Sequence, residues 1–312
     1  MLVLAPPNMT VPASGPSGLV GDRVHQTPAL TAIYSRRRPL LLWPDDVVTR
    51  TFFSFQEVEF VPGQTASQAL EAIQDEEIEE AVALYSPTHS IPAGREADCG
   101  LLREADAITT KLRGVRKRQC CLDPLGGTPI WRQLLSLVPF EEALPPLPWL
   151  RPLEKAVAWA GEILSQNIRD WNANGPLVIL SPFSGSPKQA VEDAWWRRLA
   201  DLLSGCSIVA PVYGNRELAE ARHLFAGTAA VVIEADLDQT IALASLPNVG
   251  VFGIDGGRLN LLAASCKSRV HAFYGIWPAS AWALPNVHAL PPGLTPEAVI
   301  PELDNLQQTS NS

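Results

Sequence analysis

The sequence is poor in cysteine, in basic charge and in long apolar runs, and each shortage excludes something. Its five cysteines (Cys99, Cys120, Cys121, Cys206 and Cys266) are odd in number and contain no C-x-x-C pair. That count argues against a disulfide framework and against a zinc knuckle, and it suits a reducing, cytoplasmic compartment. Twenty-four Lys and Arg against 33 Asp and Glu give a formal net charge of −9, which excludes broad nucleic-acid binding, since that needs a basic surface. No apolar run approaches the roughly 18–20 residues of a membrane-spanning helix. The opening MLVLAPPNMTVPASG lacks a basic segment followed by a continuous apolar stretch, so no signal peptide is read.

What is present is a globular composition, 46% hydrophobic and 18% charged, at a length that favours two domains. The second half has the clearer rhythm. Short, β-branched apolar runs at 177–183, 206–213, 229–235, 249–255 and 269–275 alternate with helical stretches at 192–204, 215–225, 237–246 and 258–266. Near-continuous apolar strands separated by helices imply a parallel sheet covered on both faces. In the first half MLVLA and RPLLLWP (38–44) read as strands. TPALTAIYSRR (27–37) reads as a helix with Thr27 as N-cap and Pro28 in its first position. Residues 66–84 begin as an acidic helix and end in a strand; the DEEIEE run within them reads as a solvated helix face. The proline-dense ALPPLPWLRP (143–152) breaks both helix and central strand. These features predict an N-terminal domain over 1–150, a linker and crossover helix over 151–176, and a C-terminal domain over 177–312.

The sharpest local feature is VFGIDGGRLNLLAASC. A buried strand ends at Asp255, Gly256 and Gly257 follow, and a helix begins near Arg258. Strand C-termini in such sheets open on the ligand crevice, and the free N–H groups of the next helix suit a phosphate. An ordinary tight strand-to-helix turn satisfies the same pattern. SPFSGSPKQ (181–189) is a second loop of this type: Ser184, Gly185 and Ser186 fit around an anion and Lys188 fits as its counter-charge, with a solvated turn as the plain alternative. Asp236-Leu237-Asp238 looks like a metal-binding D-x-D, but it stands just before a helical pattern, where Asp is a good N-cap, so no metal is expected.

At these turns the sequence resembles glycosyltransferase family 9, the heptosyltransferase-like enzymes of bacterial lipopolysaccharide assembly. The family's "D-[TS]-G-x-x-H-L-A-A-A" is matched by Asp255 and Gly257, with Gly256 where Thr or Ser is usual and Asn260 where His is usual. Its N-terminal "G-D-x-x-x-x-x-P-A-L" is matched by Gly21, Asp22, Pro28, Ala29 and Leu30. The "K-x-W-P" after the first loop of the second half is stretched here between Lys188 and Trp195, and the first strand is separated from Gly21 by an unusually long Pro/Ser/Gly-rich segment. The likeness is weakest between about residues 50 and 150.

The resemblance implies an α/β protein of GT-B fold, two Rossmann-like domains facing each other across a cleft. It also implies metal-independent, inverting transfer of a hexosyl or heptosyl group from a nucleotide-diphosphate sugar. The acceptor class it implies is a hydroxyl on a bacterial glycan, a lipid-linked or a small molecule. No cofactor is expected beyond that co-substrate. Asp22 is then the general base. Ser184, Gly185, Lys188, Glu217, Asp255, Gly256, Gly257, Arg258 and Asn260 hold the donor, and His25 lines the acceptor side. The five histidines show no metal-ligand spacing. Two basic clusters, Arg36-Arg37-Arg38 and KLRGVRKR (111–118), read either as solvated turns or as contacts with an anionic acceptor or the inner membrane surface. Two other readings stand beside transfer: a non-catalytic GT-B binding or scaffold protein, and a nucleotide-sugar epimerase of the same fold.

Overall fold

The computed structural model describes residues 1–6, 17–36, 40–45, 50, 58–63, 65–74, 76–85, 100–119, 121–123, 125–138, 145–183, 191–275 and 278–300, with the backbone alone for 17–22. The chain forms two compact units, Met1–Pro146 with Ser280–Trp282, and Leu147–Ala279 with Ala283–Ser312.

In the second unit the apolar runs become β6 (Leu177–Ser181), β7 (Ser207–Val212), β8 (Val231–Glu234), β9 (Val249–Ile254), β10 (Val270–Phe273) and β11 (Val287–Leu290). They pair in parallel in the order β11-β10-β9-β6-β7-β8. β9 carries no polar side chain in VGVFGI and is buried throughout. Strands and helices expected between 177 and 275 are found with ends that differ by one or two residues; β11 was not expected. The helices are α5 (Glu154–Asn167), α6 (Asp193–Leu202), α7 (Gly214–Leu224), α8 (Leu237–Ala244) and α9 (Gly257–Ser265), while the short α10 (Ala279–Trp282) belongs to the first unit from Ser280 onward. The numbering leaves α1–α4 to the first unit. From Leu259 to Ser265 every residue of α9 is buried, and α9 packs on α8. α5 also packs on α8 and belongs to the second unit, whereas a linker and crossover helix was expected over 151–176. Its Ala156, Ala160 and Leu164 recur at helical spacing and are buried, which gives it a face to attach.

The first unit has β1 (Leu2–Leu4), β2 (Leu41–Trp43), β3 (Glu59–Phe60), β4 (Glu80–Ala83) and β5 (Arg116–Gln119), in parallel and in the order β3-β2-β1-β4-β5. Its helices are α1 (Ser17–Arg36), α2 (Ala66–Ala72), α3 (Gly100–Lys111) and α4 (Ile130–Leu135); α1 packs on α4 and α2 on α3.

Three local expectations are corrected in this unit. The helix expected to start at Thr27 starts at Ser17 and carries Pro28 inside it, so the G-D-x-x-x-x-x-P-A-L segment is helical and not a turn. A proline within a helix costs about 3 kcal/mol, yet burying Val24, Leu30 and Ile33 on one helix outweighs that at about 1.5–3 kcal/mol per side chain. The Thr27 hydroxyl, expected as a cap, instead donates to the Arg23 carbonyl at 2.9 Å. The acidic run does not form a helix face: α2 stops at Ala72 and Glu80 opens β4, buried, with Arg118 Nε donating to its Oε1 at 3.0 Å. Like charges three and four residues apart disfavour a helix there. Finally, part of the basic cluster at 111–118 is the edge strand β5, where Glu80 on the neighbouring strand holds Arg118.

Around Gly253 of β9 the packing is tight. A Cβ there would lie 2.6 Å from Leu259 Cδ1, 3.1 Å from Ser181 Cβ and 3.2 Å from the Ser181 carbonyl oxygen. The leucine tip can move, but the Ser181 backbone belongs to the sheet. Gly253→Ala is expected to destabilise the protein by about 1–3 kcal/mol through overpacking, read from the urea unfolding midpoint; an unshifted midpoint would show that β9 and α9 yield freely.

Candidate functional site

In the second unit the chain winds outward from two neighbouring strands: β6 to β7 to β8 on one side, β9 to β10 to β11 on the other. Connections therefore part between β6 and β9, and the C-terminal ends of these strands are where an open parallel sheet binds ligands. Ser181 ends β6 and lies in register with Gly253; β9 ends at Ile254, followed by Asp255, Gly256 as N-cap, and α9.

α9 has no side-chain cap at its N-terminus. The backbone amides of Gly256, Gly257, Arg258 and Leu259 have no hydrogen-bond acceptor among the described residues, and Gly256, Gly257 and Arg258 are partly exposed. Uncapped amides carry the positive end of the helix dipole, which favours an anion by roughly 0.3–2 kcal/mol. The Asp255 amide is used differently, donating to the Phe273 carbonyl at 2.9 Å and tying the turn to β10.

Three buried polar atoms surround this turn without a hydrogen-bond partner among the described residues: Ser181 Oγ, Asn260 Oδ1 and Tyr274 Oη. Leaving such a group unsatisfied costs about 1–3 kcal/mol, so each calls for a reason. Their placement supplies one. Ser181 ends β6, Tyr274 follows the end of β10 and Asn260 lies in the first turn of α9, so all three stand at the C-terminal edge of the sheet. Burial, and next to it the negative charge of Asp255, push the Tyr274 phenol well above its ordinary value, so it stays a hydrogen-bond donor. Asp255 itself is 6% exposed.

Glu217 and Arg258, both expected at a donor site, are brought together. Arg258 Nη2 lies 2.5 Å from Glu217 Oε2, which also accepts the Tyr213 N–H at 3.0 Å. This carboxylate links the start of α7 to the start of α9. Asp236 serves as the N-cap expected of it: its side chain accepts the Gln239 N–H at 2.8 Å while the Gln239 side chain accepts the Asp236 N–H at 2.9 Å. Among the described residues no three His, Cys, Asp or Glu side chains form a metal-holding group. Ser184, Gly185 and Lys188 lie outside the described residues.

The first unit has the same kind of parting, between β1 and β4. Asp22 lies in α1, with its side chain outside the described residues. One turn later Gln26, fully buried, donates through Nε2 to the carbonyls of Pro6 and Leu84, each at 2.8 Å, while its Oε1 accepts from Arg23 Nη1 at 3.1 Å. Sequence reading missed Gln26, Ser181 and Tyr274. Only a lone polar residue in an apolar context marked any of them, as with Ser181 after LVIL.

His25, expected to line the acceptor side, is 1% exposed and meets the Trp282 ring edge-to-face at 5.2 Å. Neither ring nitrogen has a hydrogen-bond partner among the described residues, and burial lowers its pKa to about 4. The folded state thus favours the neutral ring, and the unfolded chain takes up the proton first as pH falls. Stability from this site is complete above pH 6.5 and is lost on going down to about pH 4, a change of about 3 kcal/mol. His25→Phe should flatten that part of the stability–pH curve. Parallel curves for the two proteins in urea titrations would show that the buried ring is not the source.

Neither a family model nor a curated protein sequence matches the chain. Solved structures resemble it over nearly their whole length, three of them as follows. The glycosyl transferase family 9 protein from Veillonella parvula is 13% identical with a TM-score of 0.66, covering 99% of this chain and 96% of that one. E. coli heptosyltransferase WaaC with ADP is 15% identical at 0.64, covering 98% and 99%. E. coli ADP-heptose lps heptosyltransferase II is 14% identical at 0.68, covering 100% and 99%. The chain has the GT-B fold of these proteins, with a Rossmann-like sheet in each of its two units.

Proposed function

We propose that the protein is a glycosyltransferase that moves a sugar from a nucleotide-diphosphate donor to an acceptor hydroxyl, with inversion and without a metal ion. The observation that carries this reading is the row of amides from Gly256 to Leu259 at the parting of β6 and β9, without acceptors among the described residues and bordered by the buried Ser181 Oγ, Asn260 Oδ1 and Tyr274 Oη, likewise without partners there. A nucleoside diphosphate is the ligand class that such donors suit, and the E. coli heptosyltransferase WaaC of the same fold has been solved with ADP.

In the proposed reaction the acceptor oxygen attacks the anomeric carbon from the side opposite the leaving group. The new C–O bond forms as the bond to the diphosphate oxygen breaks, and the electron pair leaves with the diphosphate. Asp22 takes the acceptor's proton, a role worth about 10²–10⁴-fold in rate. The leaving diphosphate gathers negative charge against the amides of 256–259, with Arg258 beside them and Ser184, Gly185 and Lys188 contributing from the sequence after β6. Asp255 orients the turn, and the Glu217 carboxylate holds Arg258.

The acceptor reading is coarser: a glycan, lipid-linked or small-molecule hydroxyl, with lipopolysaccharide assembly as the setting and the cytoplasm as the compartment. Lys111, Arg113, Arg116 and Lys117 are exposed at and before the edge strand β5. They are a fitting contact for an anionic acceptor or for the inner leaflet of the inner membrane. No described helix is long and apolar enough to cross a membrane.

Thermal shift with ADP, UDP and GDP and their sugar conjugates should show stabilisation by one nucleotide class, and release of that diphosphate should accompany sugar transfer. Binding without turnover would leave a nucleotide-binding module and remove the transferase reading. Asp22→Asn is expected to lower the transfer rate by about 10²–10⁴-fold while leaving diphosphate affinity unchanged; equal loss of both would assign Asp22 a structural role. Excess EDTA should leave the rate unaltered, and strong inhibition would bring a metal site back into the mechanism.

A further inference from the structure

We infer that Gln26 is a positioning residue that holds α1, and with it the proposed base Asp22, in place over the parting of β1 and β4; the inference rests on the proposed function. Three facts about one amide carry it. Its Nε2 donates to the carbonyls of Pro6 and Leu84, residues 20 and 58 positions away. Its Oε1 accepts from Arg23 Nη1. It is completely buried.

The two carbonyls are not arbitrary acceptors. Ladder bonding continues just past the strand ends, with the Ala5 N–H on the Trp43 carbonyl and the Leu84 N–H on the Leu4 carbonyl. Pro6 and Leu84 then present carbonyls at the point where β1 and β4 leave the ladder, and Gln26 binds both. A single side chain therefore bridges the two strands that flank the crevice. Val24, Leu30 and Ile33 bury the apolar side of α1, but apolar contacts are non-directional. Two bonds to two different strands fix the rotation of the helix about its axis and its position along it.

Helical geometry carries that constraint to Asp22. The residue four positions earlier lies on the same face, about 6 Å nearer the helix N-terminus. α1 connects two parallel strands, so it runs back against the strand direction and its N-terminal turns stand at the C-terminal edge of the sheet. Gln26 sits level with the strand ends, and residue 22 therefore lies one turn beyond them. The Arg23 donor completes the arrangement, because it occupies the amide oxygen and leaves the NH₂ group facing the two carbonyls.

The test compares Gln26→Met, which keeps the length and loses every hydrogen bond, with Thr27→Val, which loses only the helix-internal bond to Arg23. Two readouts are taken: hydrogen–deuterium exchange along α1, and diphosphate release from whichever ADP-, UDP- or GDP-sugar the wild type turns over. Gln26→Met should raise exchange about ten-fold or more in 17–25 while 29–36 stays protected. It should slow turnover by about 10²-fold with diphosphate affinity kept, and Thr27→Val should do neither. Should the methionine form not fold, Gln26→Asn, which retains an amide of shorter reach, is read in the same way. Turnover near the wild-type rate, or equal loosening along the whole helix, overturns the positioning role. Absence of wild-type turnover on every nucleotide sugar overturns the transferase reading first, and the exchange pattern then reports the hold on α1 by itself.

Discussion

A parallel sheet wound outward from two adjacent strands must leave backbone groups unpaired where its connections part, and both units of this protein are organised around that requirement. No strand follows to complete the ladder there, so each carbonyl and amide needs another partner or remains open. The two units meet the requirement in opposite ways. In the first, Gln26 closes the gap with a side-chain amide between Pro6 and Leu84. In the second, among the described residues, the amides from Gly256 to Leu259 are left without acceptors, and Ser181 Oγ, Asn260 Oδ1 and Tyr274 Oη are buried without partners. A closed parting suits a rigid platform, and an open one suits a ligand rich in oxygen acceptors.

Openness of this kind has an energetic consequence. Three unsatisfied polar atoms at about 1–3 kcal/mol each approach the whole net stability of an ordinary domain, about 5–15 kcal/mol. The surrounding core offsets them. β9 is buried along its length, α9 is buried from Leu259 to Ser265, and Gly253 lets Leu259 and Ser181 approach more closely than a side chain would permit. The buried apolar residues behind the turn hold its polar front in place.

Much of this was legible in the sequence, and the divide between what was and was not is physical. The second unit reads well because its strands are continuous apolar runs and its helices are separated from them by clear turns; LVILS, VGVFGI and RLNLLAAS announce their structures locally. α1 was misread because Thr27-Pro28 is a strong local signal for a helix start, and only tertiary burial, with Val24 before the proline and Leu30 and Ile33 after it, carries the helix through. β5 was misread because RKRQ carries no apolar signal; its strand character comes from pairing with β4, including Arg118 on Glu80. The Asp255-Gly-Gly turn was visible as a motif, whereas the bonds of Gln26 join residues 20 and 58 positions apart and leave no periodic trace.

The charge arrangement around α9 bears on how an anion would be held. Arg258 is the cation nearest the open amides in sequence, but it is engaged by Glu217 at 2.5 Å and only 12% exposed. That pair is close to neutral from a distance, so it adds little long-range attraction for a diphosphate and is weakly affected by salt. In the proposed function, neutral donors therefore stand beside Lys188 at the diphosphate: four backbone amides and the Tyr274 hydroxyl, which burial and Asp255 keep protonated. Asn260 extends the same logic, since an amide stands where the resembling family has an imidazole, and a carboxamide cannot change its charge with pH. A site composed in this way selects its ligand by the directions of its hydrogen bonds, and those directions are set by the rigid turn between β9 and α9.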